Sequence, residues 1–254
     1  MANDVLLNYL IDQEKIGAEY VTTGADKDRL IALMKEVRSK TGKDIQYLAQ
    51  LDNLQIYGIG EIVGQYIGAF ESEFVKSCLL DFLVEDRIED CGQRIYQMYL
   101  HFKTTDTYLS SSGKSAPLGI TVRYDNAFKR LKPKKLKNEL CALVNYPRDV
   151  FYLPLTMRML ASWKMPELEM LLKYYLDTTN ITPQSVGLPA STPTLDFLKK
   201  EIRFTAIHGL RYYPSNENCE IISQFLQFEN PDVVIAAKKT LDYMKKQINY
   251  RSGD

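Results

Sequence analysis

Two stretches of this chain decide its fold: residues 152–176, YLPLTMRMLASWKMPELEMLLKYYL, and residues 202–226, IRFTAIHGLRYYPSNENCEIISQFL. Aligned at an offset of 50 residues, both contain one helical pattern, a short break and a second helical pattern, and Leu160 falls opposite Leu210. At a further offset of 31 residues the first helix recurs, with Leu241 in the same position. One helical pair cannot bury both of its faces alone, so the recurrence predicts that neighbouring pairs stack into a continuous core.

The repeated pattern resembles the HEAT-like repeats of the armadillo-type fold. Those repeats carry a small residue in one helix, a leucine four positions on, and a short turn before the next helix. The resemblance rests on Ala206, Leu210, Pro214, Ile222 and Leu226, then on Asn230, Pro231, Asp232, Ala237 and Leu241. It covers residues 152–248 and implies a right-handed stack of antiparallel helical pairs, a HEAT-like α-solenoid. The alternative is an irregular all-helical bundle whose helices mimic a repeat.

The rest of the chain also has helical periodicity. From Gly58 onward apolar residues recur at intervals of three and four and do not alternate as in a strand. We therefore predict an all-α chain that forms one helical-repeat domain over residues 1–254. Its parts are N-terminal capping helices (1–57), irregular helical pairs (58–145) and the clearest HEAT-like repeats (146–254).

Three further segments give local predictions. Residues 108–119 and 178–194 are rich in Ser, Thr, Gly and Pro and predict loops. The sequence Asn230-Pro231-Asp232 predicts the start of the last helix, because Asn caps a helix and Pro fits its first turn.

The composition argues against several classes of function. Lys and Arg (32) balance Asp and Glu (32), so the chain as a whole has no field that attracts nucleic acid or an anionic membrane. No window reaches the roughly 18 to 20 apolar residues of a membrane span, and the N-terminus lacks the basic and small-residue features of a signal peptide. We expect no membrane association and a cytoplasmic location.

No metal site, cofactor or catalytic residue is predicted. The two histidines leave little for acid–base chemistry, and His208 has the pattern of a packed or surface residue. Motifs of serine hydrolases, zinc proteases and Walker loops are absent. The cysteines are scattered, without a Cys-x-x-Cys pair, and are predicted to be reduced and buried: Cys78, Cys91, Cys141 and Cys219.

One motif indicates a nucleotide. In residues 54–64, LQIYGIGEIVG, an apolar run enters Gly58-x-Gly60, as in the turn that holds a dinucleotide pyrophosphate, and Asp81 lies about 20 residues on. However, Val63 occupies the place of the third glycine, and no succession of strands follows. The alternative is a close crossing of two helices, which uses glycines on one helical face, here Gly60, Gly64 and Gly68.

Two sets of residues are candidates for a binding surface. Aromatic pairs recur at the ends of the repeat helices, and one member of each pair is expected to be buried. The candidates for a protein-binding surface are Tyr152, Tyr174, Tyr175, Tyr212 and Tyr213. A basic segment around Pro133 is the candidate for phosphate contacts: Lys129, Arg130, Lys132, Lys134, Lys135 and Lys137.

These features leave three hypotheses about function. The first is a non-enzymatic protein-binding or scaffold protein that uses the concave or tyrosine-rich face of a helical array. The second is a nucleic-acid-binding HEAT-like protein that uses residues 129–137, and the third is a nucleotide-binding enzyme that uses Gly58 and Gly60. We favour the first, because the chain is neutral overall and its dinucleotide motif is incomplete.

Overall fold

The protein is helical throughout the residues that the structure describes. The computed structural model describes residues 24–44, 58–105, 115–186 and 195–251, and these ranges contain twelve α-helices, four short 3-10 helices and no strand. The prediction of an all-α chain is confirmed for these residues. Contacts divide the chain into two compact units, Met1–Leu131 and Lys132–Asp254.

The described part of the first unit contains five α-helices. In chain order they are α1 (Gly24–Thr41), α2 (Gly60–Tyr66), α3 (Glu73–Glu85), α4 (Cys91–Phe102) and α5 (Ser115–Leu131). Buried aromatic rings join α4 to α5, since the ring centroid of Tyr99 lies 5.3 Å from that of Tyr124 and 6.1 Å from that of Phe128. Such edge-on ring pairs add to the energy of burial and fix how the two helices pack.

The described part of the second unit contains seven α-helices. They are α6 (Lys137–Leu143), α7 (Pro147–Tyr152), α8 (Pro154–Ser162), α9 (Pro166–Leu176), α10 (Leu195–Leu210), α11 (Asn216–Ser223) and α12 (Pro231–Arg251). Four of these helices begin at a proline, whose missing N–H costs nothing in a first turn. Helix α10 packs against α8, α9 and α12, and its buried Ile202, Ala206 and Leu210 lie in the core of the unit.

The second helices of the two aligned stretches begin at equivalent positions. Helix α9 begins at Pro166 and α11 at Asn216, which is the same offset of 50 residues that aligns their sequences. The aligned Leu172 and Ile222 are both 0% exposed, and the leucines of the three copies of the first helix are buried as well: Leu160, Leu210 and Leu241. The start of the second helix and these buried positions agree with the alignment, whereas the first helices differ in their bounds: α8 is Pro154–Ser162 and α10 is Leu195–Leu210.

The last helix begins where the sequence predicts. The side-chain oxygen of Asn230 accepts hydrogen bonds from the backbone N–H of Asp232 at 3.0 Å and of Val233 at 3.4 Å. These bonds satisfy two N–H groups that have no partner within the helix, and Pro231 occupies the first helical position. The predicted inner stripe is buried at Val233, Ala237, Leu241 and Met244 and half-buried at Ile248.

The predicted loop over residues 108–119 is wrong in its last five residues. Helix α5 begins at Ser115, so residues 115–119 are helical in spite of Pro117 and Gly119. A proline is tolerated in a first turn, which explains why its presence here does not indicate a loop. Residues 108–114 and 187–194 of the two predicted loops, and most of the predicted N-terminal caps, lie outside the described residues.

Candidate functional site

The tyrosines predicted for a binding surface differ in their exposure. Tyr174 is 50% exposed, whereas Tyr152, Tyr212 and Tyr213 are half-buried. Tyr213 donates its hydroxyl hydrogen to the carbonyl oxygen of Met165 at 2.8 Å, and burial raises its pKa. Tyr213 therefore holds the turn before α9 as well as facing solvent in part.

Tyr175 is a core residue and does not belong to a binding surface. Its side chain is 0% exposed, and its hydroxyl donates to the carbonyl oxygen of Val144 at 2.9 Å. Successive side chains point about 100° apart around a helix, so Tyr175 can face the core while Tyr174 faces solvent. The sequence identifies the pair, but helix packing decides which member is buried.

Side chains from α8, α10 and α12 meet around His208. The ring of Phe204 lies 4.5 Å from that of His208, and the guanidinium of Arg158 lies 5.4 Å from the Phe204 ring. The guanidinium of Arg211 lies 4.6 Å from the ring of Tyr212 and 5.6 Å from that of Tyr243. We name the arginine–aromatic cluster as Arg158, Phe204, His208, Arg211, Tyr212, Lys239 and Tyr243.

The cluster carries an excess of positive charge. Burial lowers the pKa of His208, and Arg158, Arg211 and Lys239 lower it further, to about 4, so this histidine is neutral at pH 7. Among the described residues, Arg211 and Lys239 form no ion pair with a carboxylate. Lys239 and Tyr243 are exposed, and Arg158, Arg211 and Tyr212 are half-buried. The cluster is thus a cationic surface with aromatic rings, accessible to a partner.

The cluster follows the sequence repeat. The two offsets of 50 and 31 residues align the leucines of the three first helices. The same offsets align the residues two positions earlier in each helix, which are Arg158, His208 and Lys239. The offset of 31 residues likewise aligns Tyr212 with Tyr243, and Arg211 lies against both rings. Arg158 lies over the ring of Phe204, which contacts His208, and the charges of Arg158 and Lys239 both lower the pKa of His208.

A small pocket adjoins the cluster at Tyr212. Its volume is about 220 Å³, and its walls are Lys164, Glu169, Tyr212, Tyr213, Pro214 and Ser215. The carboxylate of Glu169 accepts a hydrogen bond from the amide of Asn218 at 2.8 Å, which fixes one wall. This volume is below the range of sites for drug-sized ligands and fits a single side chain.

We predict that His208 makes the folded protein sensitive to acid. Its folded pKa of about 4 lies below the ordinary histidine pKa of 6.5, so the unfolded chain takes up a proton first as the pH falls. The stability that His208 contributes is therefore complete above pH 6.5 and declines as the pH falls toward 4. Urea unfolding at several pH values measures this slope.

A matched pair of variants isolates the contribution of His208 to the acid sensitivity. His208→Gln should reduce the loss of stability between pH 6.5 and 5. The control is His101→Gln, which should leave the slope unchanged, because the side chain of His101 is 69% exposed. Equal slopes in the two variants would contradict the burial of a neutral His208.

The residues of the basic segment are exposed but lie on both sides of the boundary between the two units. Lys129 and Arg130 are at the end of α5, and Arg130 forms an ion pair with Asp81 at 2.9 Å and another with Glu85. Arg130 is thus engaged within the first unit. The remaining members are exposed in the second unit: Lys132, Lys134, Lys135 and Lys137.

We predict that the double change Lys134→Glu and Lys135→Glu leaves the fold intact. Both side chains are exposed in a short 3-10 helix after Pro133, so the free energy of unfolding should change by less than about 0.5 kcal/mol. Thermal denaturation checks this. If the wild type binds nucleic acid with a steep salt dependence and the variant does not, the nucleic-acid hypothesis gains over protein binding.

The glycines of the nucleotide motif hold a carboxylate of this chain. The backbone N–H of Gly58 donates to Asp86 Oδ1 at 2.9 Å, and that of Gly60 donates to Asp86 Oδ2. Gly58 has a φ of 82°, which favours glycine. Asp81 lies in α3, where a dinucleotide fold needs a strand, and pairs with Arg130. The backbone N–H groups that would bind a pyrophosphate thus already donate hydrogen bonds to Asp86.

At two of the three glycines the atoms in closest approach are side-chain atoms rather than the backbone of a second helix. A Cβ on Gly60 would lie 2.7 Å from Asp86 Oδ2, and one on Gly64 would lie 2.6 Å from Arg94 Nη1. A Cβ on Gly68 would meet nothing within 4 Å. Gly60 and Gly64 therefore allow the close approach of side chains, and Gly68 does not take part.

The remaining titratable groups of the described residues form no metal site. No group of three His, Cys, Asp or Glu side chains in these ranges is arranged to hold a metal ion. Cys91 is buried, and burial raises the pKa of its thiol to about 11, while the other three cysteines are half-buried. No helix in these ranges is long and apolar enough to cross a membrane.

Comparison of the chain with models of protein families, with curated proteins and with solved structures finds no match.

Proposed function

We propose that this protein is a non-enzymatic binding protein in which a HEAT-like stack of helical pairs presents the arginine–aromatic cluster to a protein partner. The observation that carries the proposal is the row of repeat-equivalent side chains Arg158, His208 and Lys239 across α8, α10 and α12. In a stacked array, equivalent positions of successive repeats form a row on one face, which is where such proteins bind their partners.

The residue types of the cluster support protein binding. Tyrosine and arginine dominate the energetics of protein interfaces, because both offer a large contact area together with hydrogen-bonding groups. Here Arg211 lies against Tyr212 and Tyr243, which pre-orders three of these side chains before a partner arrives. A pre-ordered surface loses less side-chain entropy on binding. The adjoining pocket of about 220 Å³ offers a place for one side chain of the partner.

Site-specific photo-crosslinking in the native host cells tests the proposal. A benzophenone amino acid replaces Tyr243, which is 41% exposed, and separately replaces Tyr212. The control position is Met170 of α9, which is 74% exposed and outside the cluster. We expect the same protein to be crosslinked from Tyr243 and Tyr212 and not from Met170.

A second variant makes the crosslink specific to the cluster. Adding Arg211→Ala to the protein crosslinked at Tyr243 should abolish the product, because Arg211 lies against both tyrosines. Crosslinks of equal yield from Met170, or products that persist in the Arg211→Ala variant, would contradict the proposed surface. A crosslink to nucleic acid would favour the second hypothesis.

A further inference from the structure

We infer that the core of the first unit binds an internal water molecule, which bridges the hydroxyl of Tyr124 on α5 and the carboxylate of Glu73 on α3. The inference concerns the first unit and does not depend on the protein-binding surface proposed for the second. Its basis is a pair of buried polar atoms of opposite hydrogen-bonding type among the packed helices α3, α4 and α5.

Two buried side-chain atoms of the first unit lack a hydrogen-bond partner. Within the described part of this unit they are the hydroxyl oxygen of Tyr124 and Glu73 Oε2. Tyr124 is 0% exposed and Glu73 is 7% exposed, so bulk solvent does not serve either atom. Buried polar groups of folded proteins are nearly always hydrogen-bonded, either to the protein or to an ordered water. The hydroxyl and the carboxylate oxygen therefore both require a partner that the surrounding side chains do not supply.

Both residues lie against the same turn of α4. The ring centroid of Tyr124 is 5.3 Å from that of Tyr99 and 5.7 Å from that of Phe102. Between these two residues in the chain is His101, whose Nε2 lies 4.0 Å from Glu73 Oε1. Helices α3 and α5 also pack directly on each other. Tyr124 and Glu73 thus approach residues 99–102 from two neighbouring helices.

The hydroxyl of Tyr124 is a hydrogen-bond donor at neutral pH. Burial raises its pKa above the ordinary value for tyrosine, and the charge of Glu73 raises it further, so the phenol keeps its proton. Glu73 Oε2 is an acceptor. One water accepts a hydrogen bond from the Tyr124 hydroxyl and donates one to Glu73 Oε2, which satisfies both buried atoms at once.

Lys76 supplies a third partner for the water. Its buried ammonium donates to Glu73 Oε1 at 2.6 Å, and an ammonium carries three N–H groups, so it has hydrogen atoms left to donate. Internal waters typically make about three hydrogen bonds. Tyr124, Glu73 and Lys76 provide that number.

A neutral ligand fits this site better than an ion. Lys76 and Glu73 already form an ion pair in the core, so a further ion would leave an uncompensated charge out of contact with solvent. The ligand must also accept from one partner and donate to another. Water meets both requirements and is the smallest molecule that does so.

Nuclear magnetic resonance of the full-length chain tests the inference. The measurement is the rotating-frame Overhauser effect between water and the ring protons beside the tyrosine hydroxyl. The internal control is Tyr175, which is also 0% exposed but whose hydroxyl donates to the carbonyl oxygen of Val144 at 2.9 Å. We expect a direct effect from a long-lived water at Tyr124 and none at Tyr175. Relay through an exchanging hydroxyl would appear at both tyrosines, so the comparison separates the two causes.

Magnetic relaxation dispersion of the water ¹⁷O signal counts the long-lived internal waters and provides a second readout. Tyr124→Phe should contain one fewer than the wild type, because its ring retains the packing but loses the hydroxyl. The matched change Tyr175→Phe should not lower the count.

Two results would overturn the inference: a water effect at Tyr124 no larger than that at Tyr175, or the same count of long-lived waters in Tyr124→Phe and in the wild type. A crystal structure in which the Tyr124 hydroxyl donates directly to Glu73 Oε2 would overturn it as well. If Tyr124→Phe does not fold, the comparison of Tyr124 with Tyr175 in the wild-type chain decides the question by itself.

Discussion

Leu210→Ala should destabilise the protein by about 2 to 5 kcal/mol. Leu210 is 0% exposed, and the proposed repeat alignment places it opposite Leu160 and Leu241. Truncation removes the transfer free energy of three carbon atoms and leaves a cavity, because α8, α9 and α12 pack around α10 and restrict its collapse. Urea denaturation of the wild type and the variant measures the difference.

The control for Leu210→Ala is Lys239→Ala on the exposed side of α12. Lys239 is exposed and forms no ion pair among the described residues, so its loss should change stability by less than about 0.5 kcal/mol. If Leu210→Ala proves as mild as Lys239→Ala, the repeat alignment has to be abandoned, and with it the proposed stack.

Gly209→Val should destabilise the protein by about 2 to 3 kcal/mol. The reason is opposite to that for Leu210→Ala, because the change adds volume to the core and does not remove it. A Cβ on Gly209 would lie 2.6 Å from Leu172 Cδ2 and 3.0 Å from Leu172 Cδ1. Leu172 is itself 0% exposed in α9, so its side chain can move only against other atoms of a close-packed core. The larger side chain must therefore separate α9 from α10, which should lower the midpoint of urea unfolding.

Gly119 provides the matched control for Gly209. It also lies inside a helix, α5, but a Cβ there would meet nothing within 4 Å. Gly119→Val should change stability by less than about 0.5 kcal/mol, since valine is a slightly better helix former than glycine. Equal effects at the two glycines would show that helix propensity, and not close packing against Leu172, determines the result at Gly209.

The nucleotide motif shows where local sequence misleads. Gly58 and Gly60 have the spacing of a phosphate-binding turn, but their amides are bound to Asp86, which follows α3 and lies more than 25 residues away in the chain. A glycine pattern determines that the backbone can turn tightly and leave its N–H groups exposed. Which anion accepts hydrogen bonds from those N–H groups depends on what the tertiary fold brings near. Here the anion is a side-chain carboxylate of the same unit.

The sequence alone determined the helical class, the start of α12 and the buried positions Leu160, Leu210 and Leu241. These depend on interactions within a few residues: the 3.6-residue periodicity of apolar side chains, the Asn230 cap and the proline in the first turn. Only the tertiary structure decided that Tyr175 is buried while Tyr174 is exposed. It also decided that Gly209 meets Leu172, and that Arg211 lies between Tyr212 and Tyr243. These contacts join different helices or depend on how a helix is rotated about its axis. The rotation is set by packing against neighbouring helices, and no local sequence pattern specifies those neighbours.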